Sequence, residues 1–318
     1  MRVTEENELK KTAFLFPGQG SQAVGMGLDL YEEYDFVREI FEMTDDVAKA
    51  NIANLCFKGP MEELTRTVNL QPAMMAISLS CLAAIEYAGI KPDMAAGHSL
   101  GEYGALCAAG AVSRFDGVRM VNKRGLLMDR ESVKYDGAMY AVIGLTIDEV
   151  TRLTEQVDGE VSVANHNMEK QIVITGSPDP CREVADLAKS LGNKAIKLKV
   201  SGAWHSRLMK GAKQEFSGFL DEIEFTAPNI PVVHNVTADT CADPGKIRSM
   251  MVDQICSPVR WYDTMLGLIA DDVEVFVEVG PKKVLTGLVK KTLPDKWPGS
   301  LCNVNDLKTL EKFVKAMA

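Results

Sequence analysis

Gly97-His98-Ser99-Leu100-Gly101 fits G-x-S-x-G, the turn that lifts a serine hydroxyl out of the chain as a nucleophile toward acyl groups. Chance matches to so short a pattern are common, so the flanks decide its worth. Here an apolar stretch, Met94 to Ala96, precedes it and a helix-prone one, Ala105 to Ala111, follows, which is the strand, sharp turn and helix that the pattern needs. The two glycines leave room for a turn too tight for side chains, and the helix beginning after Ser99 aims free backbone N–H groups at whatever the serine attacks.

A serine nucleophile needs a base, and the chain has only four histidines. His98 adjoins Ser99 in the turn, where neighbouring side chains diverge, and reads as packed and structural. His234, inside Pro231-Val232-Val233-His234-Asn235-Val236, reads as a satisfied core histidine. His166, in Asn165-His166-Asn167, falls at an expected strand end and is either a ligand contact or merely polar. His205, in Gly202-Ala203-Trp204-His205-Ser206, follows the apolar run Ala195 to Val200 and precedes a helix, where a loop can carry it to Ser99.

Two further segments narrow the chemistry. Ser113 to Arg130 reads as a helix with Ser113 as its N-cap. Met120, Val121, Leu127 and Met128 surround Arg124 on its helix face, whereas Arg119, Lys123 and Arg130 fall on the solvated side. A guanidinium in an apolar stripe requires an anion: either a substrate carboxylate held by two hydrogen bonds or an Asp or Glu of the protein itself. Pro17-Gly18-Gln19-Gly20-Ser21-Gln22, after the strand-like Ala13 to Phe16, is a glycine-rich loop that can bring a backbone N–H, at Gln19 or a neighbour, to an oxyanion. It lacks both G-x-x-x-x-G-K-[ST] and G-x-G-x-x-G, which argues against a nucleotide site.

With these segments in order, the chain resembles the malonyl-CoA:acyl carrier protein transacylases of fatty acid synthesis and the acyltransferase domains of polyketide synthases. The resemblance rests on Phe16 to Gln22, Gln71-Pro72-Ala73, Gly97 to Tyr103, Lys123-Arg124-Gly125, Gly137-Ala138-Met139, and Asn165 with Asn167. It continues through His205-Ser206, Leu208-Met209, Asn235-Val236-Thr237, Ser257 to Trp261 and Glu278 to Pro281, spanning residue 12 to about 290. It implies Ser99 as acyl nucleophile, His205 as base and Arg124 as clamp on the malonyl carboxylate. The N–H groups of Gln19 and Leu100 would form the oxyanion hole, and the backbone carbonyl near Gln254 would orient His205, so that no triad acid is needed. Met128, Trp204, Asn165 and Asn167 would complete the substrate site. Two positions depart from the family: Trp204 stands where malonyl-selective relatives usually carry Phe, which favours a pocket tight against branched acyl groups, and Lys282 stands where a glycine is frequent.

What the resemblance implies is ping-pong transfer from malonyl-CoA to an acyl carrier protein through a Ser99 ester, with no cofactor or metal beyond the malonyl-CoA substrate. A polyketide-pathway trans-acting acyltransferase, a serine thioesterase or esterase, and an inactive docking protein are the competing readings.

The remaining chain must position these groups. Met139 to Leu145, Val161 to Asn165, Gln171 to Thr175 and Ala195 to Val200 read as strands, with helices at Ile147 to Gln156 and Cys181 to Leu191. This β-α-β-β-α-β order predicts a ferredoxin-like subdomain, residues 137–201, inserted in an α/β hydrolase-like core formed by 12–136 plus 202–318, with the site in the cleft between them. Residues 1–11 are charged, lack a signal-peptide core and read as a loose tail. No uninterrupted apolar run of about 18 residues occurs, which argues against a membrane span. Seven cysteines without C-x-x-C spacing predict reduced thiols and a cytoplasmic chain, and a monomer is expected. A net charge of −9 argues against nucleic acid and leaves carrier docking to local basic patches, with Lys197 and Lys199, or Lys290 and Lys291, as candidates that read equally as plain solvated lysines.

Overall fold

A computed structural model describes residues 10–317. Five short strands, β1 (Thr12–Phe16), β2 (Met94–Gly97), β7 (Val232–Val233), β8 (Val275–Val279) and β9 (Ser300–Val304), form a parallel sheet in the order β7-β2-β1-β8-β9. Every residue of β1, β2 and β8 is buried, as the near-continuous apolar composition of a doubly covered parallel sheet requires. Register places Phe16 beside Gly97, so the glycine-rich loop after β1 and the serine turn after β2 leave the same sheet edge side by side.

A second sheet is antiparallel, in the order β4-β5-β3-β6, from β3 (Ala138–Ile143), β4 (Val161–Met168), β5 (Gln171–Gly176) and β6 (Lys194–Lys197). Helices Ile147–Glu155 and Pro178–Ser190 pack on it around Val142, Val150, Ile172, Ile174 and Val184. The first of these is started by a capping box in which the Thr146 and Glu149 side chains satisfy each other's backbone N–H groups. The chain leaves for this unit and returns from it at one place: a Cβ on Gly137 would lie 2.3 Å from the Ala203 nitrogen. β4 ties the unit to the larger body, since His166 N donates to Val259 O at 2.9 Å and Val259 N to Ala164 O at 2.8 Å.

Two expectations are corrected. The run Ala195 to Val200 is a strand only over its first half: β6, a largely exposed edge strand, ends at Lys197, after which Leu198 N still donates to Met139 O. Residues 1–9 of the expected tail lie outside the described residues, but Lys11 is not loose: its carbonyl accepts from Glu274 and Val275, and its Nζ donates to Asp271 O at 2.7 Å. Helix Thr67–Tyr87, 21 residues with an 18-residue window of mean hydropathy 1.5, is long and apolar enough to cross a membrane, which a search for uninterrupted apolar runs misses because Asn69, Gln71 and serines punctuate it. In the fold it is a core helix, with 89% of that window buried. All seven cysteines are unpaired.

Candidate active site

The serine turn is held from both sides. A Cβ on Gly97 would lie 2.0 Å from the Gly101 carbonyl carbon, and one on Gly101 only 1.9 Å from Phe16 O, so both positions exclude any side chain. Ser99 itself has φ 51°, a left-handed conformation costly for a non-glycine residue and persisting only where its surroundings enforce it. Asn235 supplies part of that enforcement: its Oδ1 accepts from Ser99 N at 2.7 Å and its Nδ2 donates to Gly97 O at 2.6 Å. The elbow helix, Gly101–Ala108, begins just after Ser99, as the turn pattern requires.

His205 stands at φ 62° in the loop before a single 3-10 turn, Arg207–Met209, with Nε2 2.8 Å from Ser99 Oγ. Its Nδ1 faces two backbone carbonyls, Gln254 O at 2.9 Å and Ser257 O at 3.1 Å, so Nδ1 carries the hydrogen and Nε2 is left as a free base toward the serine. Burial, and second the nearby Arg124 guanidinium, pull the imidazole from 6.5 down to about 3. The ring is therefore neutral near pH 7.

Arg124 projects from helix Arg114–Lys134, capped by Ser113 as the sequence indicates, and is 2% exposed. Nη1 donates to Gln71 Oε1 at 2.9 Å, and Nη2 to Ser99 Oγ at 3.1 Å and Gln254 Oε1 at 3.3 Å. All three acceptors are neutral, Nε has no partner, and the Tyr103 ring lies beside the guanidinium with its centroid 5.7 Å away. Among the described residues no carboxylate is hydrogen-bonded to this buried cation, which argues against a direct structural ion pair. Burial, the largest influence on the group, lowers its pKa from the usual arginine value, while the Tyr103 and Glu102 side chains act the other way. Arg119, Lys123 and Arg130, by contrast, are paired with carboxylates: Asp116, Glu222, Glu215 and the buried Glu131.

Gln19 and Leu100 line the cleft in front of Ser99. Neither backbone N–H is used by another group among the described residues. The loop reaches this position because Gly18 passes so close to the elbow that a Cβ there would lie 2.5 Å from His98 O. Met128 and Trp204, both buried, and Asn165, carried by β4, form the far wall of a cleft of about 120 Å³. Asn167 lies behind that wall: its Oδ1 meets His98 Nε2 at 2.8 Å, and through it His98, expected to be packed away, is held at the cleft surface. His166 does not line the cleft and packs tilted against the Tyr262 ring with centroids 4.9 Å apart, and His234 is fully buried against Glu102.

The family profile described as Acyl transferase domain matches residues 13–311. The chain belongs to this acyl transferase family. A malonyl CoA-acyl carrier protein transacylase from Bacillus subtilis is 43% identical over 287 residues, covering 89% of this chain and 90% of the relative. The crystal structure of an acyl carrier protein S-malonyltransferase from Vibrio cholerae superposes with a TM-score of 0.90 at 40% identity, covering 95% of this chain and 99% of that one. A malonyl-transacylase solved in complex with a type II PKS acyl-carrier protein gives 0.91 at 37% identity, covering 96% and 99%.

Several residues of this acyltransferase site escaped the sequence reading of individual side chains. Gln71 and Asn235 were visible only as members of family motifs; nothing in composition says that the first meets Arg124 and the second the Ser99 amide. Glu102, 1% exposed, accepts from His234 Nδ1 at 2.8 Å, from Asn235 N at 3.3 Å and from Gln254 Nε2. An ionisable residue at the second position of a buried helix was the signal that could have found it. The segment Ser257 to Trp261 serves the site three times over, through Ser257 O on His205, Val259 on β4, and the Trp261 ring edge-on to His98. Lys282, where a glycine is frequent, sits at φ 62° on the surface, a conformation that explains the family preference.

Proposed function

We propose that this acyltransferase moves a malonyl group from malonyl-CoA to the phosphopantetheine thiol of an acyl carrier protein through a Ser99 ester, in fatty acid synthesis. The observation that carries this is the buried Arg124 guanidinium, bonded only to neutral oxygens and 3.1 Å from the nucleophile's Oγ. A dry cation beside a nucleophile discriminates in favour of an acyl group that brings its own carboxylate. The names of the relatives from Bacillus subtilis and Vibrio cholerae support the same reading.

In the first half-reaction His205 Nε2 takes the Oγ proton as Oγ attacks the thioester carbon, and the resulting oxyanion is held by the N–H groups of Gln19 and Leu100. Collapse breaks the C–S bond, and the imidazolium returns its proton to the departing CoA sulfur. In the second half the carrier thiol gives its proton to His205, attacks the ester carbon, and Ser99 leaves with that proton. Arg124 holds the malonyl carboxylate through both halves, with Met128, Trp204 and Asn165 as walls and Asn167 acting only through His98. Residues 12–136 plus 202–318 are assigned as an α/β hydrolase-like core and 137–201 as a ferredoxin-like insert, supported by the β4-β5-β3-β6 strand order and the contact of Gly137 with Ala203. The reaction needs no cofactor, and a cytoplasmic monomer remains the expected setting.

Intact-mass measurement after mixing the protein with malonyl-CoA tests the reading. A malonyl adduct that persists alone and disappears when holo carrier protein is added supports transfer. Rapid release of free malonate with no carrier present would make the protein a thioesterase instead. Running the second step with a fatty acid and a polyketide carrier side by side separates the two pathways, a comparison motivated by the relative solved with a polyketide carrier.

A further inference from the structure

Behind the serine elbow lies a second buried ion that the transfer chemistry does not use. Glu102, in the first turn of the elbow helix, is 1% exposed, and Gln254, which separates it from Arg124, is fully buried. The Gln254 side chain faces both charges at once: its Oε1 accepts from Arg124 Nη2 at 3.3 Å, and its Nε2 donates to Glu102 Oε2 and to Ser99 O at 3.0 Å. We propose that Glu102 is the internal counter-ion of Arg124, relayed through the Gln254 amide, and that its charge sets how strongly the guanidinium holds a carboxylate-bearing acyl group. The second half of this statement rests on Arg124 being the partner of the acyl carboxylate.

The other partners of Glu102 leave its charge uncancelled. Asn235 N is neutral, and His234 donates Nδ1–H at 2.8 Å while its Nε2 is buried with no partner. Arg124 is left as the buried charge of opposite sign, one amide away. A direct Arg124–Glu102 pair would occupy the guanidinium fork with an internal carboxylate and shut out the substrate's. Interposing an amide keeps the cation compensated in the empty enzyme while leaving its N–H groups bound only to neutral acceptors that a carboxylate can displace.

Glu102→Gln tests this, because it keeps the shape and the acceptor toward Gln254 while His234 can change tautomer to accept from the new amide. With the counter-charge gone, the unliganded protein should melt lower, free malonate should raise its Tm more than it raises that of the parent, and the malonyl-to-acetyl ratio of kcat/KM should rise on the order of tenfold, chiefly through KM. An unchanged ratio and an unchanged malonate shift would overturn the proposal. A ligand-free Tm cycle covers the case in which the single variant folds poorly. Glu102→Gln should lower Tm in the parent but leave it unchanged or raise it in an Arg124→Met background, where Glu102 has lost its partner. A double variant as damaged as Glu102→Gln predicts from the parent would show the charges uncoupled and sink the idea. If Arg124→Met alone leaves the malonyl-to-acetyl ratio untouched, it is the carboxylate clamp that fails, and the ligand-free cycle still judges the counter-ion.

Discussion

Replacing Arg124 separates binding of the acyl carboxylate from every other role of the side chain. Arg124→Met keeps much of the volume in an apolar stripe already containing Met120, Leu127 and Met128, but removes the three hydrogen bonds to Gln71, Ser99 and Gln254. With malonyl-CoA the loss is one charge-assisted, two-pronged contact in a dry site, about 2 to 5 kcal/mol in the transition state. At about 1.4 kcal/mol per factor of ten, kcat/KM should fall by roughly 30-fold to several thousand-fold. With acetyl-CoA no such contact exists in the parent, and in the variant the neutral methyl group no longer faces a buried guanidinium, so the rate should hold or increase. The assay is initial-rate transfer of each acyl group to the same carrier protein, with active protein normalised by folded fraction. A structural arginine would depress both substrates alike, so an unchanged malonyl-to-acetyl ratio refutes the clamp.

Ser99→Ala should abolish the malonyl adduct seen by intact mass while changing stability by only about 1 kcal/mol, since the hydroxyl makes two side-chain contacts at a half-buried position. His205→Ala should slow acylation by ~10² to 10⁴, and a rate equal to the parent's would remove it from the mechanism. Because His205 in the free enzyme takes a proton only near pH 3 rather than 6.5, malonylation measured as kcat/KM should show no acid limb near 6.5; a half-maximal rate at pH 6 to 7 would contradict the buried, neutral imidazole. The sign for stability is the same: between about 6.5 and 3 the unfolded chain binds a proton that the folded one refuses, so this group's contribution is full above 6.5 and is lost as pH falls toward 3. Gly101→Ala should lower Tm and acylation together, because its methyl would enter the space of Phe16 O, which itself accepts from His98 N at 3.0 Å; a parent-like Tm would show the elbow less rigid than its contacts imply.

Local signals were legible wherever one residue's neighbours in sequence are also its neighbours in space. The elbow, the Ser113 cap, the apolar ring around Arg124 and the β-α-β-β-α-β order of residues 137–201 all follow from spacing alone, and each appears in the fold within a few residues. Contacts between distant segments were not legible in that way. That Gln254 sits between His205, Arg124 and Glu102 depends on how the turn after helix Pro244–Asp253 docks on the elbow, more than 150 residues away in the chain. The helix Thr67–Tyr87 escaped a simple apolar-run criterion for the opposite reason: polar residues that face partners, as Gln71 does Arg124, interrupt its apolar sequence. Asn167 illustrates the limit of reading a pair of residues as one unit, because alternate positions of a bulged strand put Asn165 on the cleft and leave Asn167 to hold His98.

The missing triad acid and the buried arginine are two sides of one electrostatic arrangement. A serine base needs its far nitrogen held by an acceptor, and in many hydrolases a carboxylate does this while also favouring the imidazolium. In this cleft a carboxylate beside His205 would lie in the same dry pocket as Arg124, whose Nη2 is already 3.1 Å from Ser99 Oγ. At the low effective dielectric of such a site the two would pair, and the guanidinium would be spent on an internal anion before any substrate arrived. The carbonyls of Gln254 and Ser257 orient the imidazole with no net charge, and the one buried carboxylate nearby, Glu102, is kept an amide's length from the cation. The transient imidazolium then gains little from its neighbours, and Arg124 opposes it. On the proposed clamp, an acyl carboxylate bound to Arg124 would relieve that opposition, so an acyl group carrying the right charge would strengthen the base that activates Ser99. A neutral acyl group leaves the repulsion in place, and selectivity reaches the chemical step as well as binding.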